Sequence, residues 1–368
     1  MSSKKHPVDK TFFIITLLLI VAGFFIFSSA SLGLLAKESS NYSSIAFSQM
    51  VLGLLLGSIA MVITSRLDFM LWRKLAFYLL LIAIFLNVLV LFPSIGFEHG
   101  GARRWLMMGG VSFQPSEVLK FAFVIYLSAW FAGAKDKVKL FRFGLLPLLI
   151  LIGIAGILLL NQPDTDTFLI IAVTGLVIYI SAGGQWRWVL VLMLSGLIAL
   201  AVLAYSRPYV MKRIQTFIDP TSDSLGSSYQ IQQSLIAIGS GELFGRGFGQ
   251  SVQKFTYLPE PVGDSVFAVA GEEFGFVGSV LLIALFLLFA TRGLKIASRV
   301  PSAFGRLAVV GLVIMIITQA FVNIGAMLGV LPLSGITLPF VSHGGTSLFL
   351  TLFEVGVILS ISRTQKNS

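Results

Sequence analysis

Ten long apolar runs leave this chain few ways to fold. They lie at residues 11–34, 45–64, 75–92, 116–134, 144–160, 167–183, 189–205, 274–291, 307–330 and 346–362. A helix crosses the hydrocarbon of a bilayer in about 20 residues, and each run comes near that length. Only 11% of residues are charged, against about a quarter in a soluble domain, so a water-facing surface could not be covered. The pattern predicts an all-α polytopic membrane protein of about ten transmembrane helices, with residues 1–368 as a single membrane domain. The first run follows a short basic segment, is too long for a signal-peptide core and lacks a convincing cleavage site, which predicts a retained first helix.

Basic residues set the orientation. Residues 1–10, 65–74, 135–143, 184–188, 292–306 and 363–368 hold most of the 26 lysines and arginines. Assigning these segments to the cytoplasm predicts both termini inside. The net charge of +10 is spread between apolar runs, which suits a membrane surface and membrane lipids, with no nucleic acid as partner. There is no cysteine, so thiol chemistry is excluded. His6, His99 and His343 are too scattered to form a metal site of the usual spacing.

The polar signatures gather on the opposite, outer side. Residues 206–265 form a long extracytoplasmic loop between the seventh and eighth spans, with no run long enough to cross. Its apolar residues and its glycine-rich stretch 239–249 predict short amphipathic helices at the interface. Pro115 suits the first position of a helix and Glu117 its first turn. Glu117 and Lys120 then share a face and can pair, either as a structural ion pair or to position a catalytic group. Asp264 follows a Pro- and Gly-bearing turn at the membrane edge. It reads equally as a helix cap or as a partly desolvated general base. Glu272 and Glu273 read as residues that orient local structure. Arg103, Arg104, Arg207, Lys212, Arg213, Arg246 and Lys254 are outer cations. Singly each is a solvated or headgroup-facing charge, and together they suit an anionic lipid diphosphate.

These runs resemble the RodA/FtsW (SEDS) family of peptidoglycan glycosyltransferases. The resemblance rests on Arg103-Arg104-Trp105, Phe113-Gln-Pro-Ser-Glu117 with Lys120, Gln162-Pro163-Asp164 and Gly245-Arg-Gly-Phe-Gly249. It continues through Leu258-Pro-Glu260 to Asp264, Glu272-Glu-Phe-Gly275 and Leu338-Pro-Phe-Val-Ser-His-Gly-Gly345. The motifs occur in family order over nearly the whole chain. Three departures stand out. Val262, Gly263 and Ser265 replace the His-Thr and Phe common around the family's aspartate, Thr165-Asp166-Thr167 replaces Leu-Gly-Thr, and His343 stands where Tyr is common. Asn323-Ile-Gly-Ala and Gly335-Ile-Thr-Leu-Pro339 lean toward the FtsW division branch.

The resemblance implies a multi-pass protein of the bacterial cytoplasmic membrane that polymerises lipid II into glycan strands on the outer face. Lipid II and undecaprenyl-diphosphate-linked glycan are the implied substrates, and a class B penicillin-binding transpeptidase is the implied partner. Asp264 falls on the family's essential aspartate, with Glu117 and Lys120 on the polar pair beneath it. Chain growth needs a base for the attacking hydroxyl and cations for the departing diphosphate. The expected assignment is Asp264 as base, Glu117 and Lys120 as its positioning pair, and Arg103, Arg104, Arg246, Lys254 and Asp164 around the substrate. A divalent cation (Mg or Mn) can assist the leaving group, although no all-protein metal cage is visible. Two other readings use the same membrane architecture: a flippase for a lipid-linked precursor, and a non-catalytic scaffold for the transpeptidase.

Overall fold

The computed structural model describes residues 7–37, 39–99, 102–108, 111–206, 208–219 and 228–365. Among them, eight helical segments are long and apolar enough to cross a membrane, and two further apolar helices are shorter. In chain order the first are α1 (Lys10–Lys37), α2 (Ser39–Phe47), a π-helical stretch over Ser48–Leu56, α3 (Gly57–Arg66) and α4 (Met70–Val90). Then come α5 (Pro115–Ala134) and the two shorter helices α6 (Leu145–Leu160) and α7 (Thr165–Ser181), followed by α8 (Trp186–Ser206). The last long helices are α12 (Val266–Arg299), α13 (Ala303–Met327) and α14 (Gly345–Ser362). All ten apolar runs of the sequence fall on these helices. α5, α13 and α14 are enclosed by the others, while α1, α4 and α8 turn residues such as Leu18, Phe85 and Ile198 outward, as lipid-facing helices do.

Three short helices occupy the long loop: α9 (Pro208–Ile218), α10 (Tyr229–Ser240) and α11 (Gln253–Thr256). Arg207 lies outside the described residues. The all-α expectation needs one correction. β1 (Gly96–His99), β2 (Ala102–Met108) and β3 (Val111–Phe113) form a three-stranded antiparallel sheet. Phe97 lies opposite Trp105, and Leu106 opposite Phe113. The period-2 signal is only a few residues long: Leu106 is buried while its neighbour Met107 is half exposed. The Arg pair interrupts it, which is why the segment reads as an irregular loop in sequence.

The sequence places the start of the eighth span at residue 274, and the structure supplies the reason. α12 begins eight residues earlier, at Val266, but is broken at Gly275, whose φ of 66° and ψ of −164° suit glycine alone. The break frees backbone groups on both sides, and the glycine-rich segment takes them up. Arg246 and Gly247 N–H donate to the Glu272 and Glu273 carbonyls at 3.0 Å each, and Phe276 and Val277 N–H donate to the Glu242 and Leu243 carbonyls at 2.9 and 3.0 Å. A Cβ on Gly245 would collide with the Glu273 and Phe274 backbone. Those glycines therefore let two backbones touch and satisfy polar groups that lipid could not.

Candidate functional site

Asp264 sits on the turn that leads into α12, and its backbone is held from three directions. Asn323 of α13 donates its side-chain N–H to the Asp264 carbonyl at 2.8 Å and to the Ile336 carbonyl at 2.8 Å. The Ser342 hydroxyl donates to the Gly263 carbonyl at 2.7 Å, and His343 N–H donates to the Val262 carbonyl at 2.6 Å. The cap reading fails here. Ser265 is the residue that precedes α12, and no side chain caps that end.

The Asp264 carboxylate is half-buried and makes no hydrogen bond among the described residues. It faces Gly335 across a gap shared with two arginines. A Cβ built on Gly335 would lie 3.7 Å from Asp264 Oδ2, 3.8 Å from Arg104 Nη1 and 4.0 Å from Arg213 Nη2. The absence of a side chain there leaves the carboxylate and both guanidiniums open to a common point. Burial, then the Glu260 and Asp166 carboxylates, push the Asp264 carboxyl up to about 7, with Arg104 and Arg213 opposing them. A carboxylate so placed takes a proton far more readily than an exposed aspartate.

The arginines are themselves fixed. Arg104 on β2 donates to the Gln162 carbonyl at 3.2 Å and to the Pro163 carbonyl, and stands 4.0 Å from Asp164. Arg213 on α9 pairs with Asp166 at 2.9 Å. Asp166 also accepts from Gly335 N–H at 3.2 Å, tying the segment after α13 to the start of α7. Asp164 is buried and caps α7, accepting from Thr167 N–H at 3.4 Å. Burial raises its pKa against the Arg104 charge. In the structure it is engaged with Arg104 and with the start of α7.

Glu117 and Lys120 form the expected pair at 2.8 Å, both buried on α5. The Lys120 ammonium also donates to Gln319 Oε1 at 2.5 Å, and Gln319 in turn donates to the Thr337 carbonyl at 3.0 Å. Gln319 and Asn323 are one turn apart on α13. The pair beneath is thus linked to the same strip, residues 335–337, that borders Asp264. Ser347 of α14 donates to the other Glu117 oxygen at 3.3 Å.

Three expected substrate contacts lie elsewhere. Arg103 points along the sheet to Glu98 at 3.1 Å, because neighbours on a strand face opposite sides. Arg246 lies 3.6 Å from Glu272, beside the α12 kink. Lys254 is fully buried, 2.6 Å from Glu273 and 2.9 Å from the Ser29 hydroxyl of α1. Glu272 accepts from Ser251 Oγ at 2.5 Å and Val252 N–H at 3.0 Å. Both glutamates therefore orient the loop, as the sequence suggests. Arg213, Asp166, Gly335, Gln319 and Asn323 join the candidate site in the fold without a motif that marks them as site residues in sequence. Arg213 was visible only as one of seven outer cations, and Asp166 only as a departure from a motif.

Among the described residues no three His, Asp or Glu side chains gather as a metal-binding group. His343 is stacked on Phe27 with ring centroids 6.3 Å apart, and burial lowers its pKa to about 4. It is a neutral packing residue behind the Asp264 turn.

Comparison with known proteins bears on the whole chain. The FtsW, RodA and SpoVE family, described as cell cycle protein, matches residues 9–367. Stage V sporulation protein E of Bacillus subtilis is 40% identical over 99% of both chains. A probable peptidoglycan glycosyltransferase FtsW of Coxiella burnetii is 37% identical over 98% of this chain and 97% of its own. Among solved structures, a chain of a peptidoglycan synthase complex that coordinates polymerization and crosslinking superposes with a TM-score of 0.78 at 29% identity, covering 98% of this chain and 99% of that one. RodA of Thermus thermophilus gives 0.71 at 28% identity, covering 98% of each.

Proposed function

The chain belongs to the FtsW, RodA and SpoVE family, and from that premise we propose that its outer cluster is the active site of a peptidoglycan glycosyltransferase that polymerises lipid II. The protein is a multi-pass protein of the cytoplasmic membrane. The eight long helices and the two shorter ones make ten spans, with both termini inside and Asp264 at the outer face. The observation that carries the site is the convergence of the Asp264 carboxylate, Arg104 and Arg213 on the open space at Gly335.

In this reading the attacking sugar hydroxyl gives its proton to Asp264 as its oxygen bonds to the anomeric carbon of the donor. The bond from that carbon to the diphosphate breaks, and the polyprenyl diphosphate leaves with the electron pair. Arg104 and Arg213 meet the charge that develops on it. Glu117, Lys120, Gln319 and Asn323 act as positioning residues, holding the 335–337 strip and the Asp264 backbone. A class B penicillin-binding transpeptidase is the proposed partner, consistent with the synthase complex among the structural neighbours.

The purified protein should convert lipid II into glycan strands, alone or with its partner. Transport of lipid II across vesicles without polymerisation would favour the flippase reading instead. Impermeant thiol labelling in intact cells tests the orientation: Ser43→Cys, exposed between the first two spans, should react from outside and Ser302→Cys should not.

A further inference from the structure

The end of the bundle opposite Asp264 carries a cluster of side chains with no part in this reaction. α5 and α7 both start beside the Asp264 cluster, and the loops at their far ends, residues 135–144 and 182–185, meet there. The Phe141 and Trp188 rings lie 5.8 Å apart. Lys137 and Arg142 stand 5.5 and 5.9 Å from the Phe143 ring, and Arg187 stands 5.3 Å from the Trp188 ring. Trp130 fixes the loop by donating to the Phe143 carbonyl at 3.0 Å.

Lys137, Arg142 and Arg187 are all exposed. None of them pairs with a carboxylate among the described residues, and Asp136 is the one acid in these two loops. Leu140, Phe141 and Trp186 are between 48% and 65% exposed beside them. α6 and α8 both begin here, and neither has an acid in its first turn. Their first N–H groups therefore present a partial positive charge that no carboxylate side chain offsets. Two further polar atoms in the cluster, Trp188 Nε1 and Gln185 Oε1, are buried without a hydrogen-bond partner.

A general excess of cations on the cytoplasmic side is expected of any membrane protein. Fixed rings under three of them, two uncompensated helix starts and an unpartnered indole N–H are not part of that bias. We propose that the surface between the starts of α6 and α8 binds the headgroup of an anionic phospholipid in the facing leaflet. Arg142, Arg187 and Lys137 meet the phosphate, and Leu140, Phe141 and Trp186 lie against the upper acyl chains. Charge complementarity selects an anion, and the exposed apolar residues at the level where spans begin select a lipid over a soluble one. The site goes beyond the glycosyl transfer assigned to the other face and does not depend on it.

Native mass spectrometry of the purified full chain, titrated with phosphatidylglycerol or with phosphatidylcholine of the same acyl chains, tests this directly. Each cation near such a site is worth about fivefold in anionic-lipid affinity. Arg142→Gln/Arg187→Gln should therefore lose roughly 25-fold in phosphatidylglycerol retention. Lys295→Gln/Arg306→Gln, which removes two exposed cations from the same end outside the cluster, should lose less than about threefold. Trp186→Ala, which keeps every charge, should weaken retention several-fold while leaving the thermal unfolding midpoint in phosphatidylcholine unchanged. Equal losses in the two double variants would overturn the proposal. So would an absence of preference for phosphatidylglycerol, or displacement of the lipid by inorganic phosphate.

Discussion

Removing the Lys254 charge tests how the outer loop is held. Lys254 and Glu273 are 0% and 1% exposed, and their 2.6 Å contact is shared with the Ser29 hydroxyl. In Lys254→Met the Glu273 carboxylate keeps two donors, the Ser29 hydroxyl at 2.6 Å and the Ser251 N–H at 3.3 Å, but no opposing charge. Stranding one member of a buried ion pair costs about 3–5 kcal/mol. That energy falls on local opening of the 245–256 segment, whose other ties to α12 include the Arg246 and Gly247 N–H bonds and the bonds of Ser251 and Val252 to Glu272. Opening should become roughly 150- to 5,000-fold more populated. Hydrogen–deuterium exchange of peptides covering 245–256 should accelerate by that factor, with the transmembrane peptides unchanged. Lys254→Met/Glu273→Gln removes both charges and should recover most of the protection, because a neutral pair carries little desolvation penalty. Exchange within about threefold of wild type in the single variant, or a double variant worse than the single, would refute this reasoning.

The two adjacent arginines should separate cleanly: Arg104→Gln should lower polymerisation by roughly 100-fold, as loss of a charge-stabilising donor does. Arg103→Gln, which breaks only an exposed pair with Glu98, should cost less than about threefold; equal losses would contradict the site. Neutralising Glu117 or Lys120 singly should impair activity strongly, and neutralising both should cost much less than the sum. Simple additivity in folded protein, read by a double-mutant cycle, would contradict the pairing. The rate should also follow the Asp264 proton. Its folded-state pKa of about 7 lies above the ordinary 3.8, so the base form is lost as pH falls, and polymerisation should drop about tenfold per unit below that point. A flat profile between about pH 6 and 8 would exclude Asp264 as the titrating base.

Much of this architecture was legible because a membrane leaves so few choices. Residues 116–134 and 346–362 are recognisable as spans from apolar length alone, and they match α5 and α14 almost to the residue. The Glu117–Lys120 pair followed from helical spacing, and the closing motif around Asp264 from the family resemblance. What sequence could not supply was which outer charges meet. Lys254 and Arg246 stand among the outer cations, yet in the fold each lies beside an α12 glutamate, Glu273 and Glu272, rather than beside Asp264. Arg213 and Asp166 are 47 positions apart and become neighbours only because α9 folds back over the start of α7. The three-stranded sheet was hidden by its brevity, and it decides that Arg104, not Arg103, faces the carboxylate.

Lipid II polymerisation by purified Asp264→Asn protein beside wild type tests the assignment of Asp264 most directly. The substitution keeps the size of the side chain and removes the base. Because burial raises the Asp264 pKa in the fold, its charge costs stability above the ordinary carboxyl range. Loss of that charge should therefore leave thermal stability unchanged or slightly higher at neutral pH. The expected result is folded, membrane-inserted protein of normal partner binding whose polymerisation rate falls by roughly 100-fold or more. Folded Asp264→Asn protein that polymerises lipid II at close to the wild-type rate would contradict the assignment of Asp264 as the catalytic base.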